Sequence, residues 1–139
     1  MAPTFDLEKA VERGSRGLRS KIALCLTRLG EGPEIRIQSD EMFPLASVFK
    51  LGILVELFRR VDAGGTSLSS RWRVHAEDLS PQDDILMFLD PGLQPTVRDL
   101  ATLMIIVSDN TATDILFKRL GLRKINETLR GLGLASTDI

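Results

Sequence analysis

The chain has 139 residues, which is the length of one domain and too short for two independent hydrophobic cores. Hydrophobic residues make up 43% of it and charged residues 27%, a composition typical of a globular protein and not of a disordered or collagen-like one. The net charge of −1 provides no basic surface, so we expect neither a nucleic-acid partner nor attraction to an anionic membrane.

The sequence also limits the cofactors that the chain could hold. It has one cysteine, Cys25, and one histidine, His75, which can form neither an internal disulfide nor an ordinary zinc site. We therefore expect Cys25 to be a small apolar residue on a strand and His75 to lie at the surface or in a loop. No metal and no cofactor are expected.

Membrane and export signals are not visible in the sequence. No stretch approaches the roughly 20 apolar residues that cross a bilayer, so no membrane span is expected. The first residues lack a basic segment followed by an apolar run, so no signal peptide is recognised. The compartment stays open between the cytoplasm and, after removal of a leader, the periplasm or the exterior.

The first 40 residues predict a helix followed by a β-hairpin. Residues 5–16 place apolar side chains on one side and charged ones on the other, which is typical of an amphipathic helix. Residues 21–28 alternate with a period of two, which indicates a strand. A turn is predicted at residues 30–33, and Ile35 and Ile37 mark the second strand.

Residues 47–61 predict a helix that is apolar on all sides and should therefore be buried, with Gly64 and Gly65 at its end. The stretch 70–95 is interrupted by proline and glycine and should be irregular, with one short helix near 83–88. Asp83 and Asp84 would be the solvated start of that helix. Two aromatic residues should belong to the core or border a substrate cleft: Trp72 and Phe88.

The last third of the chain predicts three helices. Thr96-x-x-Asp99 resembles a capping box, and it opens an apolar helix that continues through Val107. Two further helices should run from about residue 111 to 120 and from about 122 to 130. A glycine ends each of them: Gly121 and Gly131.

This order of elements predicts an α+β fold with a gap in its sheet. A two-stranded hairpin is marginally stable alone and leaves two edges of unpaired backbone groups. Helices occupy almost all of the remaining chain, so more strands are needed than the sequence provides. We therefore expect an incomplete domain, or one completed by another chain or by self-association.

Ser47 and Lys50 are the first candidates for catalysis. Their spacing at the start of the predicted buried helix puts the two side chains about 60° apart around the helix, so both can face one site. A serine hydroxyl needs a base to take its proton, and burial would lower the pKa of Lys50 so that its amine can do so. The N–H groups of the first turn can stabilise negative charge on the reacting oxygen. The alternative is a serine cap followed by a lysine that reaches the surface.

Ser108, Asp109 and Asn110 form a second candidate group, at a junction between two predicted helices. A hydroxyl and an amide can project from such a junction into a cleft, whereas the alternative is that the group only caps the following helix. For Asp109 we favour capping. For Ser108 and Asn110 the interpretation depends on whether Ser47 lies nearby in space.

Two segments of the chain resemble class A serine β-lactamases. Residues 43–50, Phe-Pro-Leu-Ala-Ser-Val-Phe-Lys, followed by an apolar helix, resemble the nucleophile segment of that family. Residues 95–100, Pro-Thr-Val-Arg-Asp-Leu, lead into Ser-Asp-Asn-Thr-Ala at 108–112 and resemble its second motif with the helix before it. The resemblance covers essentially the whole chain and implies a β-lactamase/transpeptidase-like fold.

The resemblance also implies a role for each of four residues. Ser47 would be the acylated nucleophile, and Lys50 would accept its proton directly or through a relay. Ser108 would pass a proton toward the leaving β-lactam nitrogen, and Asn110 would hydrogen-bond the side-chain amide of the substrate. The backbone N–H of Ser47 would contact the substrate as one donor of the oxyanion hole.

The same resemblance implies that part of the family's domain is missing from this chain. The deacylating glutamate of the family lies in a loop beyond Ile139, and no Lys-Thr-Gly or Lys-Ser-Gly occurs in the sequence. Three of the family's five strands, all C-terminal, would then be absent. Residues 1–139 are therefore interpreted as one partial domain, with a helix and hairpin in 1–40 and a helical region in 41–139.

The implied function is that of a serine hydrolase that opens β-lactam rings through an acyl-enzyme, as in antibiotic resistance and β-lactam catabolism. This chain alone should lack turnover. The substrate would be a small β-lactam or a peptidoglycan-like molecule. Two alternatives stay open: a penicillin-binding peptidase or esterase that shares the Ser-Lys centre, and a non-catalytic fragment that needs a complementary C-terminal half.

Overall fold

The computed structural model describes residues 7–27, 29–30, 35–82, 84–90 and 92–139, except for the side chains of residues 7 and 8. The chain divides into two compact units, Met1–Pro44 and Leu45–Ile139. All four residues that the sequence singled out for chemistry lie in the second unit.

The first unit contains one helix and one hairpin in its described part. Helix α1 spans Leu7–Ser15, and strands β1 (Leu24–Leu26) and β2 (Ile35–Ile37) pair antiparallel. These elements confirm the predicted helix and hairpin. Strand β1 is shorter than predicted because only its three residues have partners across the sheet. Cys25 lies on β1 with an exposed side chain. Three parts of the prediction lie outside the described residues: Phe5, Arg28 and 31–33.

In its described residues, the second unit contains the helices α2 (Lys50–Asp62), α3 (Val97–Ile106), α4 (Asn110–Leu120) and α5 (Leu122–Gly131). Their apolar faces pack into one core. Burial of each large aliphatic side chain stabilises the fold by about 1.5–3 kcal/mol. The large side chains of this core that are fully buried are Ile53, Leu57, Val97, Leu100, Met104, Leu116 and Ile125.

The predicted ends of α3, α4 and α5 agree with the structure. At the start of α3, Asp99 N donates to Thr96 Oγ1 at 3.1 Å, and Thr96 N donates to Asp99 Oδ2 at 2.8 Å, so the capping box is confirmed. Gly121 separates α4 from α5 at φ 87°, a backbone conformation that favours glycine. Helix α5 ends at Gly131, as predicted.

Helix α2 is not buried on all sides, so this prediction was wrong. The segment begins as a 3₁₀ turn over Ala46–Phe49 and continues as α2. The buried side of α2 includes Ile53 and Leu57, whereas Val48 is 60% exposed and Leu51 55%. The reason is that, among the described helices, α2 contacts α3, α4 and α5 through the side that carries Ile53 and Leu57. The apolar composition of this segment therefore predicted more burial than the structure shows.

The stretch between α2 and α3 is irregular, as predicted, with 3₁₀ turns at Ala76–Asp78 and Ile85–Phe88. The second turn confirms the predicted short helix. The stretch also contains an antiparallel bridge between Arg71 and Thr96, which the sequence analysis did not predict.

Trp72 packs against the core, whereas Phe88 is 72% exposed and therefore not a core residue. His75 is exposed beside the first turn, as predicted.

Candidate active site

Ser47 and Lys50 lie close together where α2 begins, Ser47 in the 3₁₀ turn that leads into the helix and Lys50 at its first residue. Ser47 is exposed in the 3₁₀ turn, and Lys50 is the first residue of α2 with only 2% of its surface exposed. The residue before the serine, Ala46, has a φ of 44°. This left-handed conformation costs about 1–2 kcal/mol for a residue with a Cβ atom, so the surrounding fold holds the turn in place.

Ser108 lies between α3 and α4, and its side chain lies beside Ser47. Its φ is 58°, the second left-handed non-glycine residue next to this site. The hydroxyl oxygens of Ser47 and Ser108 are 3.0 Å apart, within hydrogen-bond distance. Ser47 and Ser108, which are 61 residues apart in the sequence, therefore contact each other.

The Lys50 amine joins the group through three acceptors. Its Nζ donates to the Ser108 carbonyl oxygen at 2.6 Å, to Ser108 Oγ at 2.8 Å and to Asn110 Oδ1 at 3.1 Å. An ammonium has three N–H donors, so these three contacts satisfy it fully. Ser108 Oγ lies between Ser47 Oγ and Lys50 Nζ, which gives a continuous hydrogen-bonded path from the exposed hydroxyl to the buried amine.

The pKa of Lys50 is lowered from the ordinary value of 10.5. Burial is the largest cause, because a charged amine loses its hydration inside the protein. The carboxylates of Asp84, Asp109 and Asp114 act in the opposite direction and raise the pKa, but the net shift is downward. The direction agrees with the prediction from the sequence. At a given pH, the neutral amine, which can accept a proton, is therefore more populated in Lys50 than in an exposed lysine.

Two buried carboxylates hold the N-terminus of α4. Asp109, 1% exposed, accepts from Ala112 N at 2.8 Å and from Leu86 N at 3.0 Å, which confirms its predicted capping role. Asp84, 8% exposed, accepts from the backbone N–H groups of Asn110 at 2.9 Å and Thr111 at 3.1 Å through Oδ2. The prediction that Asp84 is solvated was wrong, because the positive end of α4 binds it. Asp83 lies outside the described residues.

The side-chain amide of Asn110 is held in one orientation. Its Oδ1 faces the Lys50 amine, which can only donate, and its Nδ2 faces Asp84 Oδ1 at 3.2 Å, which as a carboxylate oxygen can only accept. The second N–H of Nδ2 donates to Gln82 Oε1. The amide nitrogen and oxygen of Asn110 are thus distinguished by their partners.

The structure brings together all four predicted site residues: Ser47, Lys50, Ser108 and Asn110. It adds Gln82 and Asp84, which the sequence analysis did not place at the site. Neither belongs to a motif, and a loop glutamine and aspartate carry no signal of such contacts. The left-handed backbone of Ser108 was also missed, since glycine is the usual sequence sign of that conformation.

Within the part of the chain that the structure describes, no three histidine, cysteine, aspartate or glutamate side chains lie close enough together to hold a metal ion. None of the helices there is long and apolar enough to cross a membrane.

Comparison with known proteins places the chain in a family. The sequence model of the beta-lactamase enzyme family matches residues 6–139. The curated beta-lactamase L2 of Stenotrophomonas maltophilia is 32% identical over 115 residues, which are 83% of this chain and 35% of L2. The chain therefore belongs to the beta-lactamase enzyme family.

Solved structures agree with this assignment. The crystal structure of a beta-lactamase from Sphaerobacter thermophilus is 35% identical with a TM-score of 0.75, over 78% of this chain and 41% of that one. A mutant of PBP-A, solved as an acyl-enzyme complex with penicillin G, is 32% identical with a TM-score of 0.86, over 95% of this chain and 50% of that one. The chain spans less than half the length of the curated relatives it matches.

Proposed function

We propose that this chain carries the acylation centre of a serine hydrolase that opens β-lactam rings, with Ser47 as the nucleophile. The observation that carries the proposal is the hydrogen-bonded path from Ser47 through Ser108 to Lys50, with oxygen–oxygen and nitrogen–oxygen distances of 3.0 and 2.8 Å. This path connects the exposed hydroxyl of Ser47 to the buried amine of Lys50, whose pKa is lowered. Such an arrangement activates a serine that would otherwise be a weak nucleophile.

The proposed proton movements balance over one acylation. Neutral Lys50 accepts a proton from Ser108 Oγ while Ser108 accepts one from Ser47 Oγ, and the Ser47 oxygen bonds to the β-lactam carbonyl carbon. The ring C–N bond then breaks, and its nitrogen takes a proton from Ser108, which Lys50 replaces. The hydroxyl proton of Ser47 thus ends on the ring nitrogen, and Lys50 returns to the neutral state.

Two further roles complete the proposed site. The backbone N–H of Ser47, at the start of the turn that leads into α2, would donate to the oxygen of the tetrahedral intermediate. The amide of Asn110 would donate to the acylamino carbonyl of the substrate. The acyl-enzyme that a PBP-A mutant forms with penicillin G supports a covalent adduct in this fold.

We propose further that this chain alone forms the acyl-enzyme without releasing it. The resemblance assigns deacylation to a glutamate in a loop that is not among residues 1–139, so the four proposed site residues supply no group for that step. The two-stranded sheet of the described residues also supports a partial domain, to be completed by a C-terminal half or by self-association. Mixing the chain with such a half should then restore turnover.

The test is intact-mass spectrometry of the chain after incubation with benzylpenicillin. We expect one stable adduct on Ser47 that is absent in Ser47→Ala and retained in a control variant, Ser136→Ala, whose serine is exposed near the C-terminus. An adduct on another residue, or rapid turnover, would contradict the proposal. Cleavage of a peptide or simple ester at Ser47 would favour the peptidase or esterase alternative. A folded chain without any adduct would favour the non-catalytic one.

A further inference from the structure

The Asn110 amide has no N–H left for a substrate. Nδ2 donates to Asp84 Oδ1 at 3.2 Å and to Gln82 Oε1. An amide nitrogen carries two hydrogens, so both are occupied by acceptors of the chain itself. Any carbonyl group that is to be recognised by Asn110 must first displace one of them.

The two acceptors differ in how easily they can be displaced. Asp84 is 8% exposed and also binds two backbone N–H groups at the start of α4, so its removal would leave three donors without partners. Gln82 is exposed, and its side chain can turn into water where its carbonyl finds other donors. A substrate carbonyl that binds Asn110 would therefore displace the Gln82 side chain and not Asp84.

The oxygen of Gln82 has the same chemistry as the group that the site would recognise. A carboxamide C=O and the acylamino C=O of a penicillin side chain are both neutral amide acceptors. We propose that Gln82 occupies the acylamino-carbonyl subsite of Asn110 and thereby sets the specificity of the site. This inference rests on the proposed function, because it assumes that Asn110 meets the acylamino group of the substrate.

The backbone on both sides of Gln82 is anchored, so this contact is built into the loop. Ser80, 8% exposed, donates its N–H to Thr111 Oγ1 at 2.9 Å, and Asp84 is bound to the start of α4. The N–H of Asp84 also donates to the Gln82 carbonyl oxygen at 2.8 Å. Residues fixed to α4 on either side thus hold the glutamine beside Asn110.

Acylation rates of Gln82→Ala with two penicillins test the inference. Benzylpenicillin carries the acylamino carbonyl, whereas 6-aminopenicillanic acid has the same ring system with a free amine. We expect the variant to be acylated about three- to tenfold faster than the unmodified chain by benzylpenicillin, the effect of one hydrogen bond, and at an unchanged rate by 6-aminopenicillanic acid. The control Gln94→Ala replaces another exposed glutamine and should change neither rate.

A second measurement does not depend on acylation. In a Ser47→Ala background, the Asn110 side-chain NMR signals are followed during titration with benzylpenicillin, with and without Gln82→Ala. Binding about three- to tenfold tighter with Gln82→Ala supports the inference even if no Ser47 adduct ever forms, an outcome that refutes only the proposed acylation. Equal affinities, no binding to either protein, or the same acceleration with both penicillins would overturn it.

Discussion

Replacement of Asp84 by alanine tests whether this buried carboxylate builds the site. The substitution leaves three donors without their acceptor: the backbone N–H groups of Asn110 and Thr111 and the Nδ2 of Asn110. Loss of a helix cap costs about 0.5–2 kcal/mol, and a buried donor left unpaired costs about 1–3 kcal/mol. Because water can enter the space and satisfy part of the loss, we expect Asp84→Ala to lower the free energy of unfolding by about 2–4 kcal/mol.

Urea unfolding followed by circular dichroism measures this change. The matched control is Asp114→Ala, which removes an exposed aspartate from α4 and should stay within about 0.5 kcal/mol of the unmodified chain. The variant Asp84→Asn separates capping from amide orientation, since its oxygen can still accept from the two backbone N–H groups while its NH₂ faces the NH₂ of Asn110. Asp84→Asn should lose less stability than Asp84→Ala, but the Asn110 amide should no longer be held in one orientation.

The charge of Asp84 provides a second reading of the same variants. Asp84 raises the pKa of Lys50, so its removal should lower that pKa further. The pH at which the Lys50 amine titrates, followed by NMR, should then move to lower values in Asp84→Asn. A loss of stability no larger than that of Asp114→Ala, together with an unchanged Lys50 titration, would refute the role of Asp84.

Two further predictions concern Lys50 and Ala46. Because burial lowers the pKa of Lys50 in the folded chain below 10.5, the unfolded chain holds more protons between the two values, so stability should rise with pH across that window and not in Lys50→Met. Acylation of Ser47 should increase over the same range; urea midpoints and adduct rates at several pH values test both. Ala46→Gly should raise the free energy of unfolding by about 0.5–1 kcal/mol because φ is 44°, whereas Ala63→Gly, at φ −78°, should lower it, and urea titrations that show the same sign for both would contradict this explanation.

Local chemistry explains why much of the fold could be predicted. The capping box at Thr96, the glycine at Gly121 and the alternation around β1 act within a few residues, so their sequence patterns determine where helices and strands begin and end. The same holds for the capping role of Asp109, which follows from its position before a helix.

Burial could not be predicted in the same way. The apolar residues at 47–61 predicted a helix buried on all sides, but Val48 in the 3₁₀ turn and Leu51 in α2 are exposed, whereas Ile53 and Leu57 face the neighbouring helices. Asp84 shows the reverse error, since an aspartate in an irregular loop became buried against the start of α4. Which face of an element is covered depends on segments far away in the chain.

Local sequence patterns were sufficient to identify the candidate residues: a serine and a lysine one helical turn apart, and a second serine and an amide at a helix junction. Their convergence depended on the tertiary structure, because α2 and α4 must pack together before the Ser47 and Ser108 hydroxyls can lie 3.0 Å apart. The orientation of Asn110 also required it, since Lys50 and Asp84 approach from different segments to fix the two ends of one amide. A sequence pattern specifies which groups are available, and packing over long chain separations specifies which of them meet.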